Sequence, residues 1–367
     1  MPDEIDKEFA SYPAPPLGEK GYIMSEIKVY FAVLFFFIFI LFASTACNNK
    51  SPLNEDNTKP IIPPLVDNIP YESLGQGKII FERGDPSGNY SGVYVLDLEN
   101  QNSQRLRWIS GPFRYPCISP DGQKVAFTRF ADLSTAYDVH VSDIDGENIQ
   151  NISQMEVQDS YPSWSPDGTK ILFLVGPYQG LVIQSPVANP ADRVVVGLGS
   201  IVIGRVSVSN TGKIVFADKS GIRMMLTNNT NISSTYIKNN SDTRLESPVF
   251  SPDGQKIAYI ETGFETPILN NTYNNNPSSM QILIRDVNDR TTVSILEQDI
   301  TGSQTWTWHY GWSYYSLCWS PDGTKLLFCK PEGDNISHIY LINVDGSGLT
   351  TVTSADSVSD INISWSR

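Results

Sequence analysis

The sequence predicts an all-β protein, a six-bladed β-propeller that is closed by its C-terminal strand. Three observations predict this fold: a turn phrase that recurs along the chain, four strand-like segments in each repeat, and partial repeats at the two ends that complete each other. Repeats of roughly 40 to 50 residues are typical of propellers and solenoids. We place the propeller at residues 71–367, after a signal or anchor segment and a Pro-rich linker.

The turn phrase is Ser-Pro-Asp-Gly, and a Lys followed by an apolar strand comes shortly after each copy. Its copies occupy 119–122, 165–168, 251–254 and 320–323, with an eroded copy, SNTG, at 209–212. Pro presets the backbone angle at the second position of a type I turn, and Asp bonds back to its own backbone. Gly takes the positive φ that ends the turn. The phrase therefore predicts a tight turn between two antiparallel strands.

Each repeat contains two further strand-like segments. A third strand is visible as VHVSD at 139–143 and IYLIN at 339–343, and an Asp-Gly pair follows both. Asp-Gly favours a short hairpin leading to a fourth strand. Four antiparallel strands make one propeller blade.

The ends of the sequence predict how the ring closes. Residues 361–366 read as the first strand of a repeat, whereas 77–81 read as a second strand without a first. The last strand would therefore complete the first blade and remove two exposed sheet edges. Six equivalent lysines count six blades: Lys78, Lys124, Lys170, Lys213, Lys256 and Lys325.

The phrase SPDG-x-K-I-x-F, with Trp164 and Trp319 just before it, resembles the repeat of the TolB-type six-bladed propellers, over about four fifths of the chain. The resemblance implies a partner-docking surface at one mouth of the central channel. The same repeat precedes the catalytic domain of prolyl oligopeptidase relatives, but this sequence has no room for such a domain and no G-x-S-x-G motif. One fold hosts many functions, so the resemblance specifies the architecture better than the activity.

The N-terminal region indicates export. Residues 29–43 are almost wholly apolar and lead to Ser-Thr-Ala before Cys47, which resembles a bacterial lipoprotein signal with Cys47 as the acylated residue. An uncleaved membrane helix is the alternative, because the uncharged run is long enough to span a bilayer. We assign 24–46 as the signal or anchor and 47–70 as the lipidation site and linker. Residues 1–23 are acidic, so we interpret them as a non-native extension before a true start at Met24.

Composition restricts the partners. The net charge of −14 disfavours nucleic acid. No Cys/His spacing is typical of a metal site, and we expect no cofactor, no catalytic residues and a monomer. Cys318 and Cys329 flank one turn and could form a disulfide, but the strict geometry of a disulfide makes buried free thiols the favoured interpretation.

Residues that enter the opening strand of each blade are expected to ring one mouth of the channel. Mixed charge with Tyr and Arg is typical of a surface that grips a peptide, although any wet mouth is also polar. These candidate partner-binding residues are Arg114, Tyr115, Asp159, Tyr161, Arg205, Glu246, Tyr314, Tyr315 and Asp360.

A second candidate site is an aromatic insertion outside the repeat pattern, which contains Trp306, Trp308, Tyr310 and Trp312. Exposed aromatic rings mark interaction sites and can stack on sugars, whereas a loop that folds over its own blade would explain them equally well. Our leading hypothesis is a non-catalytic protein-binding or scaffold module of the bacterial envelope, held on the non-cytoplasmic side in the periplasm, at the outer membrane or at the cell surface. A carbohydrate-binding module is the alternative, and a propeller lyase or hydrolase ranks third.

Overall fold

The computed structural model describes residues 68–84, 91–106, 113–130, 137–155, 157–176, 180–198, 200–226, 235–264, 277–300, 316–333, 336–355 and 358–367. The predictions for Cys47, for residues 1–46 and for nearly all of the linker lie outside these ranges. In the described part of the chain, no helix is both long and apolar enough to cross a bilayer.

The described chain forms six sheets of four antiparallel strands each. The first three blades comprise β1 (Lys78–Gly84), β2 (Ser91–Asp97) and β3 (Asn102–Arg105) with β24 (Ser359–Ser366); β4 (Phe113–Ile118), β5 (Lys124–Phe130), β6 (Tyr137–Asp143) and β7 (Gln150–Asn151); and β8 (Asp159–Trp164), β9 (Ile171–Val175), β10 (Gly180–Gln184) and β11 (Val194–Gly197).

The other three blades follow in chain order. They comprise β12 (Val202–Val208), β13 (Lys213–Asp218), β14 (Gly221–Leu226) and β15 (Thr235–Lys238); β16 (Thr243–Phe250), β17 (Lys256–Phe264), β18 (Pro277–Asp286) and β19 (Thr292–Asp299); and β20 (Leu317–Trp319), β21 (Lys325–Gly333), β22 (Ile336–Asn343) and β23 (Thr350–Thr351). A short helix, α1 (Tyr71–Leu74), precedes the first blade, and a 3₁₀ turn covers Pro190–Asp192.

The opening strand of each blade lies innermost. These strands contact one another in the closed order β24, β4, β8, β12, β16, β20 and back to β24. Apolar side chains fill the space between neighbouring sheets; Ile80 of the first blade, for example, packs with Val125 and Phe127 of the second. The six-bladed propeller predicted from the sequence is therefore confirmed.

Ring closure depends on β24, which pairs antiparallel with β1 as predicted. Arg83 donates two hydrogen bonds of 2.7 Å to the carboxylate of Asp360, and both side chains are buried. Asn362 donates to Glu82 on the neighbouring register pair at 3.0 Å. The backbone of Gly77, with φ +92°, passes so close to the end of β24 that a Cβ atom would overlap its carbonyl oxygen. The first and last strands of the described chain therefore lie in one sheet.

The repeated turn has the same hydrogen bonds in all four full copies. The Gly N–H donates to the Ser carbonyl oxygen at 2.8–2.9 Å, and Gly φ lies between 68° and 72°. The Ser hydroxyl donates to the Asp carboxylate at 2.5–2.6 Å and accepts the Lys N–H at 2.9 Å. The Ser, Asp and Gly thus satisfy one another within the turn and Pro presets its backbone angle, which explains why the phrase recurs.

Candidate functional site

A cavity of about 690 Å³ lies at the centre of the ring. Its wall runs along the innermost strands toward the Ser-Pro-Asp-Gly turns, and in the first five blades it begins at an irregularity in the strand. Prolines of the turns surround this end of the cavity: Pro120, Pro166, Pro252 and Pro321. The described residues therefore form a concave site that opens on the turn face of the propeller.

The irregularity is a β-bulge, in which two residues of the opening strand lie opposite one residue of the next strand. It occurs in the first, second, third and fifth blades. The first bulged residue has positive φ in each: 57° at Asn362, 56° at Tyr115, 57° at Tyr161 and 51° at Ser247. This turn of the backbone brings these side chains to the cavity wall, where all four lie.

The repeat phrase supplies the residue that lies opposite the bulge. In these four blades it is the aromatic residue of K-I-x-F, namely Phe81, Phe127, Phe173 and Tyr259. Each is at least 97% buried. A large ring beneath the bulge fills the volume that the bent strand leaves. The buried aromatic residue and the bulged residue on the cavity wall therefore occur together in these four blades.

The fourth blade, which carries the eroded SNTG turn, departs from this pattern. Its bulge contains three residues between Ile203 and Ser207, one more than in the other bulged blades. Gly204 takes the positive φ, at 77°, and Arg205 follows it on the cavity wall. The longer bulge places positive φ one position earlier, and glycine adopts that conformation without steric cost. The extra residue inserts an arginine into a ring of otherwise uncharged positions.

Arg205 reaches across the cavity floor. One terminal guanidinium nitrogen donates to the carbonyl oxygen of Pro116, two blades away, at 2.9 Å. Its Nε atom is buried and has no hydrogen-bond partner among the described residues, and no carboxylate of the described chain forms an ion pair with it. Beside it, the rings of Tyr115 and Tyr161 stack with centroids 4.0 Å apart. Burial, followed by the neighbouring Tyr161, raises the pKa of Tyr115 well above its usual value, so this phenol stays protonated.

Hydroxyl and thiol groups line the wall above this floor. The Ser207 hydroxyl accepts the Phe250 N–H at 3.0 Å, and the Ser316 hydroxyl accepts the Ile363 N–H at 3.1 Å. No acceptor for either hydroxyl hydrogen lies among the described residues. Burial raises the pKa of Cys318, so this thiol remains protonated and is a poor nucleophile. The wall therefore offers hydrogen-bond donors to a ligand.

Several carbonyl oxygens near the same wall are already occupied. The indole N–H of Trp164 donates to the Cys117 carbonyl at 3.0 Å, and that of Trp319 donates to the Val249 carbonyl at 3.2 Å. Each bond joins one blade to the preceding blade. The repeat tryptophans are thus buried residues that link neighbouring blades, and they also leave fewer acceptors free in the cavity.

Carboxylates lie only at the outer end of this cavity wall, among its described residues. Asp121 and Asp167 line the rim and are exposed. The hydrogen bond from the turn Ser lowers the pKa of each, so both are ionised at neutral pH. The Arg367 side chain lines the same cavity and is exposed, so the rim carries charges of both signs above a donor-rich, cationic floor.

The structure places the predicted channel-mouth residues in different environments. Tyr115, Tyr161 and Arg205 line the cavity. Asp159, Glu246 and Asp360 have no exposed surface, so the expectation that they ring an open mouth is wrong for these three. Their positions precede the bulge, where side chains turn into the space between blades. Arg114 is partly buried 3.4 Å from Glu82, and Tyr314 and Tyr315 lie outside the described residues.

The buried acids are structural groups. Asp360 is held by Arg83, and Glu246 lies 3.6 Å from Arg244. Neither oxygen of Asp159 has a hydrogen bond of normal geometry, although the Ser153 hydroxyl lies near enough to offset part of the burial effect. Burial is the main cause that raises the pKa of Asp159 to about 7. Two of these acids therefore pair with a nearby arginine, Asp360 across two strands and Glu246 within its own strand.

The remaining predicted sites differ in how far the structure describes them. Trp306, Trp308, Tyr310 and Trp312 lie outside the described residues. Cys117, Cys318 and Cys329 are free thiols. Among the described residues, no three His, Cys, Asp or Glu side chains group as a metal ion would require.

Sequence reasoning missed the turn prolines and the Ser/Cys positions as parts of the cavity. These positions stand one residue after and two residues before the turn Ser, except that the fourth blade has Asn210 after it and the fifth has Val249 before it. Aligning the repeats on that Ser and asking which positions face inward is the signal that could have found them.

Comparison with solved structures supports the fold. TolB from Acinetobacter baumannii matches with a TM-score of 0.59 and 16% identity, over 79% of this chain and 66% of that chain. Kuenenia stuttgartiensis hydrazine synthase matches with a TM-score of 0.55 and 13% identity, over 83% of this chain and 50% of that chain. An oligogalacturonate lyase in complex with manganese has a TM-score of 0.44 at 10% identity, over 77% and 87%, too distant to support an argument. At these identities the likenesses show the fold alone.

Sequence comparison identifies the family. No curated protein gives a significant match. The family model of the TolB β-propeller domain matches residues 79–288, which is more than half of the chain. Because this match covers the recurring turns and their strands, the chain belongs to the TolB β-propeller family.

Proposed function

We propose that this propeller is a non-catalytic binding module of the bacterial cell envelope, which holds a segment of a protein partner in its central cavity. The observation that carries the proposal is the cavity of about 690 Å³ at the turn face, with Arg205 and the Tyr115–Tyr161 pair at its floor. This volume falls within the range of roughly 300–1,000 Å³ that is usual for ligand sites.

The chemistry of the floor favours a protein segment. Tyr and Arg are enriched among the residues that dominate protein–protein binding energy, especially at the centre of an interface. A pair of stacked phenol rings offers a rigid apolar surface with polar edges, and the guanidinium offers directed donors. Membership of the TolB β-propeller family supports the same assignment at the level of the fold.

A non-catalytic role fits the groups that line this cavity. Acid–base chemistry needs a titrating group near neutral pH within reach of the substrate. Asp159, whose pKa burial raises to about 7, is fully buried and does not line the cavity. The Cys318 thiol and the Tyr115 phenol both stay protonated.

The envelope location rests on the sequence. The apolar segment at 24–46 and Cys47 would carry the propeller across the inner membrane and tether it there or at the outer membrane by a lipid or a helix. The Pro-rich linker at 47–70 would then hold the propeller away from the bilayer surface.

Photocrosslinking in cells tests the proposal. The photoreactive residue p-benzoylphenylalanine would replace Pro252, on the cavity rim, and in a matched strain Val293, which is 61% exposed on an outer strand of the same blade. We expect a discrete crosslinked protein band from position 252 and none from position 293.

Equal crosslinking from both positions, or crosslinking from the outer strand alone, would show that the partner binds elsewhere. Absence of any crosslink at the rim in cells that express the full chain would contradict a protein partner in the cavity.

A further inference from the structure

We propose that Arg205 binds a carboxylate group of the ligand that enters the cavity, supplied by an acidic side chain or by a C-terminus. This inference rests on the proposed function and names the chemistry that the partner must present. It assigns the floor of the cavity as an anion subsite.

The Arg205 guanidinium is held in place, but one of its buried donors lacks an acceptor among the described residues. A single bond to the Pro116 carbonyl holds one terminal nitrogen at 2.9 Å, while the buried Nε–H has no partner among the described residues. Leaving a buried donor without a partner is costly, and for a charged group more so. A carboxylate matches the planar fork of a guanidinium and can accept two N–H bonds at once. The Arg205 side chain is therefore pre-set for such a ligand.

The neighbouring wall supplies more donors of the same kind. The Ser207 and Ser316 hydroxyls both accept a backbone N–H from the next blade, which leaves their own hydrogens directed toward other acceptors. The Pro116 carbonyl is taken by Arg205, and the Cys117 and Val249 carbonyls are taken by tryptophans. A ligand that brings acceptors, rather than donors, completes these hydrogen bonds.

The rim selects what surrounds the carboxylate. Asp121 and Asp167 are ionised there, as their lowered pKa values require. A peptide with Lys residues beside one acidic group can pair its lysines with these two carboxylates while its acidic group reaches Arg205. The expected ligand is thus a peptide segment with an acidic tip and basic flanks.

Arginine NMR tests the inference on the purified full-length chain. The Arg205 Nε–H signal would be identified by its absence in Arg205→Lys, and then followed during titration with three synthetic peptides. The probes are Ac-Lys-Gly-Glu-Gly-Lys-NH₂, the same peptide with Gln in place of Glu, and Ac-Lys-Gly-Gln-Gly with a free C-terminus. We expect a saturable shift with a carboxylate-bearing probe and none with the first Gln peptide. The two carboxylate probes distinguish a side chain from a chain end.

Variants separate binding from folding. Arg205→Gln should weaken the best probe about tenfold or more, because a charge-assisted hydrogen bond is lost. Arg193→Gln is the matched control, since Arg193 also donates to a backbone carbonyl, that of Ser153, but lies outside the cavity wall. It should leave probe affinity unchanged.

Equal shifts with the Glu and Gln peptides, or no shift with any probe, would overturn the carboxylate assignment. The proposed function fails separately: if a probe binds through Arg205 but no protein crosslinks at the rim, the site holds a small carboxylate and not a protein partner. If a protein crosslinks equally in wild type and Arg205→Gln, the proposed protein partner is supported, whereas the carboxylate-binding role of Arg205 is refuted.

Discussion

Removing the Asp360 carboxylate should weaken the pairing of β1 with β24, which closes the ring of blades. Arg83 and Asp360 are 1% and 0% exposed, and they join β1 to β24 through two bonds of 2.7 Å. Breaking a buried pair from one side leaves an uncompensated charge and costs roughly 3–5 kcal/mol. Asp360→Asn keeps the shape and removes the charge, so we expect a loss of stability in that range.

Removing both partners should cost less than removing one. In the double variant Arg83→Met, Asp360→Leu no charge remains buried, and apolar side chains of similar size can replace an ion pair with little loss. The Arg83 guanidinium also lies 5.7 Å from the ring centroids of Phe81 and Tyr94, and Met can keep that contact. We therefore expect the double variant to lose less free energy of unfolding than the two single variants lose together.

Urea unfolding followed by tryptophan fluorescence measures both effects. Lys124→Gln is the control, because Lys124 and Asp143 also form a close pair, at 2.9 Å, but their side chains are 49% and 35% exposed. Its midpoint should not move, since exposed pairs contribute little. An Asp360→Asn midpoint equal to that of wild type, or a double variant less stable than both single variants, would refute the role of this pair in closure.

Three further predictions concern single positions. Asp159 should oppose stability as pH rises: its pKa is raised to about 7 in the folded state, so the folded protein holds a proton that the unfolded chain releases near pH 4. The stability of wild type relative to Asp159→Asn should therefore fall between about pH 4 and 7 in urea titrations and stay level above that; a constant difference would disprove the shift. Trp164→Phe should cost about 1–3 kcal/mol by urea unfolding, because the buried Cys117 carbonyl loses its donor, and an unchanged midpoint would contradict this bond between blades. Gly77→Ala should destabilise more than Gly75→Ala in thermal melts; both have positive φ, at 92° and 99°, but only the first Cβ would overlap β24, so equal melting temperatures would exclude the close approach.

The repeat made the fold predictable because each of its residues has a local task. The Ser, Pro, Asp and Gly of the turn satisfy one another within a few residues, so the phrase determines its own conformation wherever it stands. The end strand was predictable for a related reason: an opening strand near 361–366 and a second strand near 78 lack partners unless they pair.

The cavity was less predictable because it depends on backbone geometry that the phrase does not display. The bulge turns the side chains of Tyr115 and Tyr161 into the channel, whereas Asp159, two positions before Tyr161 on the same strand, is buried. Strict alternation along a strand cannot anticipate that change, so Asp159 was placed on an open mouth although it is buried. Arg205 was found for its charge, whereas the three-residue bulge that presents it became visible only in the strand register.

The crystal structure of the full-length chain with the partner captured by crosslinking would test the proposed binding mode most directly. We predict that a segment of the partner enters at the turn face, packs on Tyr161 and places a carboxylate within hydrogen-bond distance of the Arg205 guanidinium. A partner bound on an outer strand, or at the opposite face with the cavity unoccupied, would contradict it.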